Sequence, residues 1–163
     1  MTRTSRVQRE IQQRKPFASP SQEGTVGLLL TADRVRRALG RIVEPSGITL
    51  QQYNVLRILR GAGEQGLPTL DIAERMIEEA PGITRLMDRL EHKRLVRRRR
   101  CPSDRRQVLC WITAEGRELL GRLDEPMSAA DASAMSVLTR GDLEEMIRLL
   151  DTVRAGLAPS KSH

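Results

Sequence analysis

The sequence predicts a mainly α-helical protein with one small β-wing, and two observations support this prediction. Apolar residues recur at helical spacing through most of the chain. In addition, the segment 80–113 joins a short amphipathic helix directly to a hairpin that is rich in arginine. A helix of major-groove size followed by a cationic hairpin is typical of a winged helix-turn-helix. We therefore predict that fold, with N- and C-terminal helices that form a dimerisation region.

The positive charge of the chain is concentrated in this same segment. The 163 residues carry a net charge of +7, and between Thr84 and Arg106 ten Lys/Arg stand against three Asp/Glu. A concentrated positive charge indicates a polyanionic partner, of which nucleic acid is the commonest. The chain has only one Trp, one Tyr and one Phe. This disfavours RNA and single-stranded targets, because their bases stack on aromatic rings.

The remaining composition indicates a cytoplasmic protein. Cys101 and Cys110 are the only cysteines, too few for a secreted disulfide framework. No apolar run approaches the roughly 20 residues that span a bilayer. The basic N-terminus also lacks the apolar segment of a secretory signal. We therefore expect a cytoplasmic location and no membrane partner.

The N-terminal part of the chain is predicted to form two regions. Residues 1–20 are basic and lack apolar periodicity, so we predict a flexible arm that is a solvated tail or brushes the DNA backbone. Residues 21–48 are predicted to form an N-terminal dimerisation helix that ends before Pro45. Its apolar residues follow spacings of 4, 3, 4 and 3, at Leu28, Ala32, Val35, Leu39 and Ile42.

Residues 49–113 are predicted to form the winged helix-turn-helix. Thr49 is expected to cap a helix that ends near Arg60, and Thr69 to cap a shorter helix after a minimal strand at Leu67–Pro68. The next helix is expected to begin near Pro81, because a missing N–H costs nothing at the first helical position.

The wing and the C-terminal helices follow. The strands of the wing are predicted near Val96–Cys101 and Arg106–Thr113. Residues 114–163 are predicted to form C-terminal dimerisation helices, interrupted at Pro126, with a last helix that begins at a cap of Thr139 or Asp142.

Apolar stripes at both ends of the chain predict a homodimer. The last helix has apolar residues at spacings of 3, 4, 3 and 4. Two stripes far apart in sequence can bury each other and also a second copy of the chain. The predicted dimerisation residues are Leu28, Val35, Leu39, Ile42, Leu143, Met146, Leu150, Val153 and Leu157.

The helix that begins near Pro81 is the candidate recognition helix. Its apolar residues Ile83, Leu86, Met87 and Leu90 lie at i, i+3, i+4 and i+7, so they face the core. Two arginines one turn apart on the other face are long enough to bond guanine O6 and N7. The alternative is a solvated face with intrahelical ion pairs. The candidate DNA-binding residues of this helix are Thr84, Arg85, Asp88, Arg89, His92 and Lys93.

The wing favours the DNA-binding interpretation. Four consecutive arginines leave neither face of the first strand apolar beyond Val96, so we predict that the strand projects toward a polyanion. Two further arginines at the tip are expected to enter a minor groove. Asp104 is expected to begin the turn or to hold a neighbouring arginine. The candidate DNA-binding residues of the wing are Arg97, Arg98, Arg99, Arg100, Asp104, Arg105 and Arg106.

The segment TLDIAERMIEEAPGITRLMDRLEHKRLVRRRRCPSDRRQVLCWITAEGRELL resembles the MarR family of winged-helix transcriptional regulators. The specific features are TRLMDRLE, then LVRR, then a DRR wing and a strand that leads to Thr-x-x-Gly, and the likeness is close over residues 49–120. The resemblance implies an obligate homodimer with interlocked terminal helices and two winged lobes on successive major grooves of a pseudo-palindromic operator. It also implies a repressor that a small-molecule effector releases from DNA.

The resemblance assigns roles to individual residues, and the chain departs from the family pattern at two places. Thr84, Arg85 and Arg89 would read the major groove, Arg106 would probe the minor groove and Asp104 would brace the wing. Arg94 stands where many members have a left-handed glycine after the recognition helix, which strains that ending or changes its geometry and adds a phosphate contact. Pro81-Gly82 replaces the hydroxyl residues often seen at the start of the helix.

The cysteines leave a redox-responsive regulator open as an alternative. Cys101 lies among arginines that would lower its pKa. A hairpin that turns near Ser103 would place Cys101 roughly opposite Arg106 and Cys110 roughly opposite Arg97, so we expect no disulfide between them. Ordinary strand residues are the simpler interpretation of both cysteines.

Other functional classes have little support in the sequence. His92 and His163 are too few and too far apart for a zinc cluster. No phosphate loop, nucleophile elbow or catalytic triad is present. We expect no enzyme, no metal and no cofactor. A non-specific architectural DNA binder and a module for an acidic protein partner remain as alternatives.

Overall fold

The computed structural model describes residues 5–79, 81–101, 104 and 107–157, in which seven α-helices and three β-strands occur. The helices are α1 (Arg6–Glu10), α2 (Pro20–Val43), α3 (Leu50–Ala62), α4 (Thr69–Glu74), α5 (Ile83–His92), α6 (Ala114–Met135) and α7 (Arg140–Leu157). The strands β1 (Leu67–Pro68), β2 (Val96–Arg100) and β3 (Val108–Ile112) form one antiparallel sheet in the order β1-β3-β2. In this part of the chain, no helix combines the length and apolarity needed to cross a membrane.

One hydrophobic core joins the helix-turn-helix to the sheet and to α6. Its fully buried side chains include Leu56 and Leu59 of α3, Ile72 of α4, Leu90 of α5 and Leu120 of α6. Each Leu or Ile buried in this way stabilises the fold by about 1.5–3 kcal/mol. The mainly helical fold with a small β-wing is as the sequence predicts.

Polar side chains cap most of the long helices. The Thr49 and Gln52 side chains each accept a hydrogen bond from the other's backbone N–H, which confirms the predicted cap of α3. Thr113 caps α6 by accepting from the Gly116 N–H. At the start of α7, Thr139 and Asp142 accept each other's backbone N–H groups, so both residues predicted as alternatives take part.

Three predicted helix boundaries are wrong. Thr69 is the first residue of α4 and makes no cap, because its hydroxyl donates to the Val108 carbonyl of β3. Pro81 precedes α5, which begins after Gly82, a residue whose φ of −109° and ψ of 30° are not helical. Pro126 does not interrupt the C-terminal helix, because its neighbours Leu123 and Met127 are buried in the core and hold α6 together.

The chain from Ser5 to Ile11 is not a flexible arm, in contrast to the sequence-based expectation. Ser5 caps α1, and Glu10 forms an ion pair with Arg34 of α2 at 2.8 Å. Val7 lies against Gly27 of α2, where a Cβ would meet it at 3.4 Å. Tertiary contacts with α2 hold a helix that is too short for a periodic pattern to reveal. Residues 1–4 lie outside the described part of the chain.

Gly116 allows the start of α6 to touch the chain segment that leaves α5. A Cβ at Gly116 would lie 2.3 Å from the Leu95 carbonyl oxygen and 2.8 Å from Cγ1 of Ile112. The Leu95 carbonyl also accepts the Thr113 N–H at 3.1 Å, and the Arg94 carbonyl accepts the Thr113 hydroxyl at 2.7 Å. The first turn of α6 is therefore fixed directly against the exit of α5.

We expect Gly116→Ala to lower the free energy of unfolding by about 1–3 kcal/mol. The new methyl group would overlap the Leu95 carbonyl, which is held in place by its hydrogen bond from the Thr113 N–H. Gly121→Ala is the matched control on the same helix, since no atom lies within 4 Å of a Cβ there. It should raise stability by about 0.5–1 kcal/mol through helix propensity. Urea unfolding followed by the fluorescence of Trp111 measures both variants. Equal effects of the two substitutions would contradict the close approach.

Candidate nucleic-acid interface

The two faces of α5 are divided as the sequence predicts. Leu86, Met87 and Leu90 are buried, with exposed fractions of 8% or less. Thr84, Arg85, Asp88 and Arg89 are exposed on the opposite face. Packing of the apolar face therefore presents two arginines, one turn apart, to the solvent side of the lobe.

The C-terminal end of α5 closes in a left-handed turn at Arg94. Its φ is 59°, its N–H donates to the Glu91 carbonyl, and the Leu95 N–H donates to the Leu90 carbonyl. This is the Schellman arrangement in which glycine is common. Arg94 thus adopts the strained conformation predicted for it, at a cost of about 1–2 kcal/mol relative to glycine.

The two other candidate residues at this end of α5 differ in their surroundings. His92 is exposed. The Lys93 ammonium donates to the Gly47 carbonyl at 2.7 Å and so ties the helix end to the loop before α3. Lys93 is also exposed, and its contact with DNA stays a prediction.

The strands of the wing pair in a register that differs by one residue from the predicted one. Arg98 pairs with Cys110, Arg97 with Trp111, and the Cys101 N–H donates to the Gln107 carbonyl. A hydrogen bond from the Gln107 N–H to the Asp104 carbonyl closes the turn, so Asp104 does take part in it, as expected. Each cysteine is therefore opposite a residue one position from its approximate predicted partner, Cys110 opposite Arg98 and Cys101 opposite Gln107. Arg105 and Arg106 lie outside the described residues.

The prediction that all four consecutive arginines of β2 project into solvent is wrong for one of them. Arg97, Arg99 and Arg100 are exposed, whereas the side chain of Arg98 is only 23% exposed. Its guanidinium contacts Glu91 Oε2 at 2.5 and 2.8 Å and Asp88 Oδ1 at 2.7 Å. Hydrogen bonding to Glu91 raises the pKa of Arg98 above its usual value. Asp88, predicted to face DNA, is thus an ion-pair partner of the wing.

Sequence reasoning missed two residues that organise this surface. Glu91 accepts a hydrogen bond from the Arg98 guanidinium. The sequence indicates this pair only through spacing, because the two residues lie three and four positions on either side of the reversal at Arg94. Trp111 lies under Arg97, whose guanidinium carbon is 4.8 Å from the ring centroid. The Trp111 indole N–H donates to the Glu64 carbonyl at 2.9 Å, so the ring is fixed beneath the arginine.

The two cysteines form no disulfide with each other and occupy different environments. Burial raises the pKa of the Cys110 thiol, which lies 3.5 Å from the Thr69 hydroxyl. A buried, protonated thiol is a poor nucleophile. Cys101 is half-buried at the start of the wing turn, and its redox role stays a prediction.

The predicted dimerisation residues separate into two groups. Leu39 and Ile42 pack against the core of their own lobe, and Val35 is half-buried. The others lie on α7 or near the start of α2. No residue of α7 is buried, although its apolar stripe includes Val153 and Leu157 with exposed fractions of 46% and 77%.

An open groove of about 620 Å³ lies between α2 and α7. Its lining is mostly apolar and includes Leu28, Met146, Leu149, Leu150 and Val153. Leu28 and Leu149 are 42% and 49% exposed. The described chain therefore has a mostly apolar groove lined by residues of α2 and α7.

A helix-turn-helix whose last helix carries exposed arginines beside a basic β-hairpin defines a winged-helix protein with a nucleic-acid interface. The sequence profile described as MarR family matches residues 48–108. A solved MarR transcription factor from Planctomyces limnophilus is 39% identical, with a TM-score of 0.65, over 84% of this chain and 99% of that chain. The HTH-type transcriptional regulator MhqR of Bacillus subtilis is 27% identical over 145 residues, which are 86% of this chain and 97% of MhqR.

The fold agrees with that of a MarR family regulator seen on DNA. Sco3205 from Streptomyces coelicolor, solved in complex with DNA, is 23% identical with a TM-score of 0.79, over 92% of this chain and 96% of that chain. The chain belongs to the MarR family, and it is a DNA-binding transcriptional regulator of that type.

We expect Arg94→Gly to raise the free energy of unfolding by about 1 kcal/mol, because glycine adopts a positive φ without the steric cost. Arg85→Gly, an equal change at an exposed position inside α5, should instead lower it by about 1 kcal/mol. Thermal unfolding of the two variants beside the parent protein measures the difference. Destabilisation by both substitutions would contradict the left-handed ending at Arg94.

Proposed function

We propose that the protein is a homodimeric, sequence-specific repressor that binds duplex DNA and is released by a small-molecule effector. The observation that supports this most is the exposed face of α5 with Arg85 and Arg89, held beside a wing with three exposed arginines. The protein would act by binding and not by catalysis, in the cytoplasm.

The proposed base-reading residues are on α5. Arg85 and Arg89 project from successive turns, and a forked guanidinium can bond O6 and N7 of guanine at once. Thr84 lies next to them and can contact a phosphate or a thymine methyl group. The buried residues of α5 fix the helix axis, so these side chains would enter the major groove from a rigid support.

The proposed backbone contacts are on the wing. Arg97, Arg99 and Arg100 are exposed on one strand, where successive side chains point to opposite faces. Arginines on both faces can meet phosphates on the two sides of a groove, and Arg105 and Arg106 remain the predicted minor-groove residues. Such contacts would add affinity without base specificity.

A second copy of the chain is the proposed occupant of the apolar groove between α2 and α7. The groove is lined by residues from both terminal helices, as expected for a dimer interface that interlocks the two ends. Single chains rarely leave such an apolar groove exposed to water. Two lobes related by a two-fold axis would match a pseudo-palindromic operator with half-sites one helical turn, about 34–36 Å, apart.

Repression and the effector are the parts of the proposal that depend on the resemblance to the family. A small molecule bound near the dimer helices would favour lobe positions that no longer fit successive grooves. Four arginines of α2 and α3 are exposed and could neutralise an acidic effector or could simply be solvated: Arg36, Arg37, Arg41 and Arg57.

DNA binding is tested by fluorescence anisotropy on a duplex from the region upstream of the protein's own gene, with a scrambled duplex of equal length as control. We expect a preference of roughly a thousandfold or more for the native duplex. Arg85→Gln and Arg89→Gln should each weaken specific binding about 5- to 150-fold. Arg122→Gln, which removes the same charge from the surface of α6, should have little effect.

Equal affinity for both duplexes with a steep salt dependence would favour the second candidate, a non-specific architectural DNA binder. The exposed wing arginines support that candidate, since they can meet phosphates of any sequence. No binding to either duplex at low salt would instead favour an acidic protein partner.

We expect Val153→Glu to convert the dimer to monomers at micromolar concentration, because the carboxylate would be buried without a partner in the groove. Val137→Glu is the control: Val137 is 88% exposed between α6 and α7 and does not line the groove. Sedimentation velocity measures the mass of each variant. A dimer that tolerates Val153→Glu would place the interface elsewhere.

A further inference from the structure

One arginine of the wing is bound to the recognition helix and not to solvent. The Arg98 Nε donates to Glu91 Oε2 at 2.8 Å, and its Nη2 contacts both that oxygen and Asp88 Oδ1, at 2.5 and 2.7 Å. The backbone N–H of Arg98 donates to the other oxygen of Glu91 at 3.2 Å. Glu91 therefore binds both the side chain and the main chain of β2.

These contacts add a polar connection between α5 and the wing. The other connections are the chain itself, which reverses through Arg94 and Leu95, and the hydrophobic core that Leu90 shares with Val96. Apolar packing is not directional, so it fixes the angle between the helix and the strand less sharply than hydrogen bonds do. A forked guanidinium held by two carboxylates from successive turns of α5 restricts that angle, because its geometry is planar and fixed.

The relative position of α5 and the wing matters for the proposed function. Base-reading residues on α5 and phosphate-binding residues on the wing must reach the same duplex at the same time. The DNA sets the distance between the major groove and the phosphates beside it. A wing at the wrong angle would therefore lose its phosphate contacts or displace α5 from its position in the groove.

We propose that Arg98 is a positioning residue, which fixes the angle between α5 and the wing through Glu91 and Asp88 and thereby raises affinity for DNA without contacting it. The inference rests on the proposed DNA-binding function and adds a specific role for a residue that sequence reasoning assigned to the DNA backbone. Glu91 has the matching role on the helix.

Substitution of Glu91 distinguishes a positioning role from simple charge repulsion. An acidic group near a DNA-binding surface repels phosphates, so its neutralisation should normally strengthen binding. If Glu91 positions the wing, Glu91→Gln should instead weaken binding, because the guanidinium loses its principal partner.

The test is a double-mutant cycle measured by anisotropy on the native upstream duplex and the scrambled duplex, across a range of salt concentrations. We expect Arg98→Gln to weaken binding on the order of tenfold. The slope of log affinity against log salt should not change, since no phosphate contact is lost. Arg100→Gln, the control on the same strand, should lower the magnitude of that slope by about one.

The remaining variants separate positioning from a direct contact. Glu91→Gln alone should weaken binding, and Arg98→Gln should cost about threefold or less when Glu91→Gln is already present. Arg98→Lys, which keeps the charge but loses the fork, should restore only part of the affinity. It also serves as the test variant if thermal unfolding shows that Arg98→Gln is not folded.

Three outcomes would overturn the inference. They are unchanged affinity in Arg98→Gln, a slope reduced as in Arg100→Gln, and stronger binding by Glu91→Gln. Failure of the proposed function looks different, because the parent protein would then not distinguish the native duplex from the scrambled one. The cycle on the scrambled duplex still measures the role of Arg98 in that case.

Discussion

The reversal of the chain after α5 is the constraint on which the rest of the proposed DNA-binding surface depends. Arg94 turns the chain in a left-handed conformation, and the Leu95 carbonyl then lies against Gly116 at the start of α6. The end of α5, the start of the wing and the first turn of α6 therefore meet at Arg94 and Leu95. The backbone contacts at this point fix the three elements relative to one another and thereby set the directions of their side chains.

Charge on this surface is divided between two uses. Arg85 and Arg89 are exposed on α5, and Arg99 and Arg100 are exposed on β2, where they can meet a polyanion. Arg98 is neutralised within the lobe by carboxylates of α5. A count of arginines thus overstates the charge available to a ligand, because part of it stabilises the arrangement of the rest.

Local patterns predicted most of the elements and the faces of α5. Periods near 3.6 residues marked α2, α3, α5 and α7, because burial of one helical face needs that spacing whatever the partner is. The patterns failed where a distant contact overrides local preference. α1 depends on α2, and the unbroken α6 depends on burial of Leu123 and Met127 around Pro126.

The sequence by itself determined the class of the protein: amphipathic periodicity, the concentrated basic segment and the motif from the recognition helix to the wing follow from residue order alone. Only the tertiary structure decided which charged groups face outward. The ion pair between Arg98 and Glu91 depends on the angle of the chain reversal and on the register of β2 against β3. A shift of that register by one residue would change the partner of every residue in the strand. Side-chain direction on a strand is thus a property of the pairing and not of the residue.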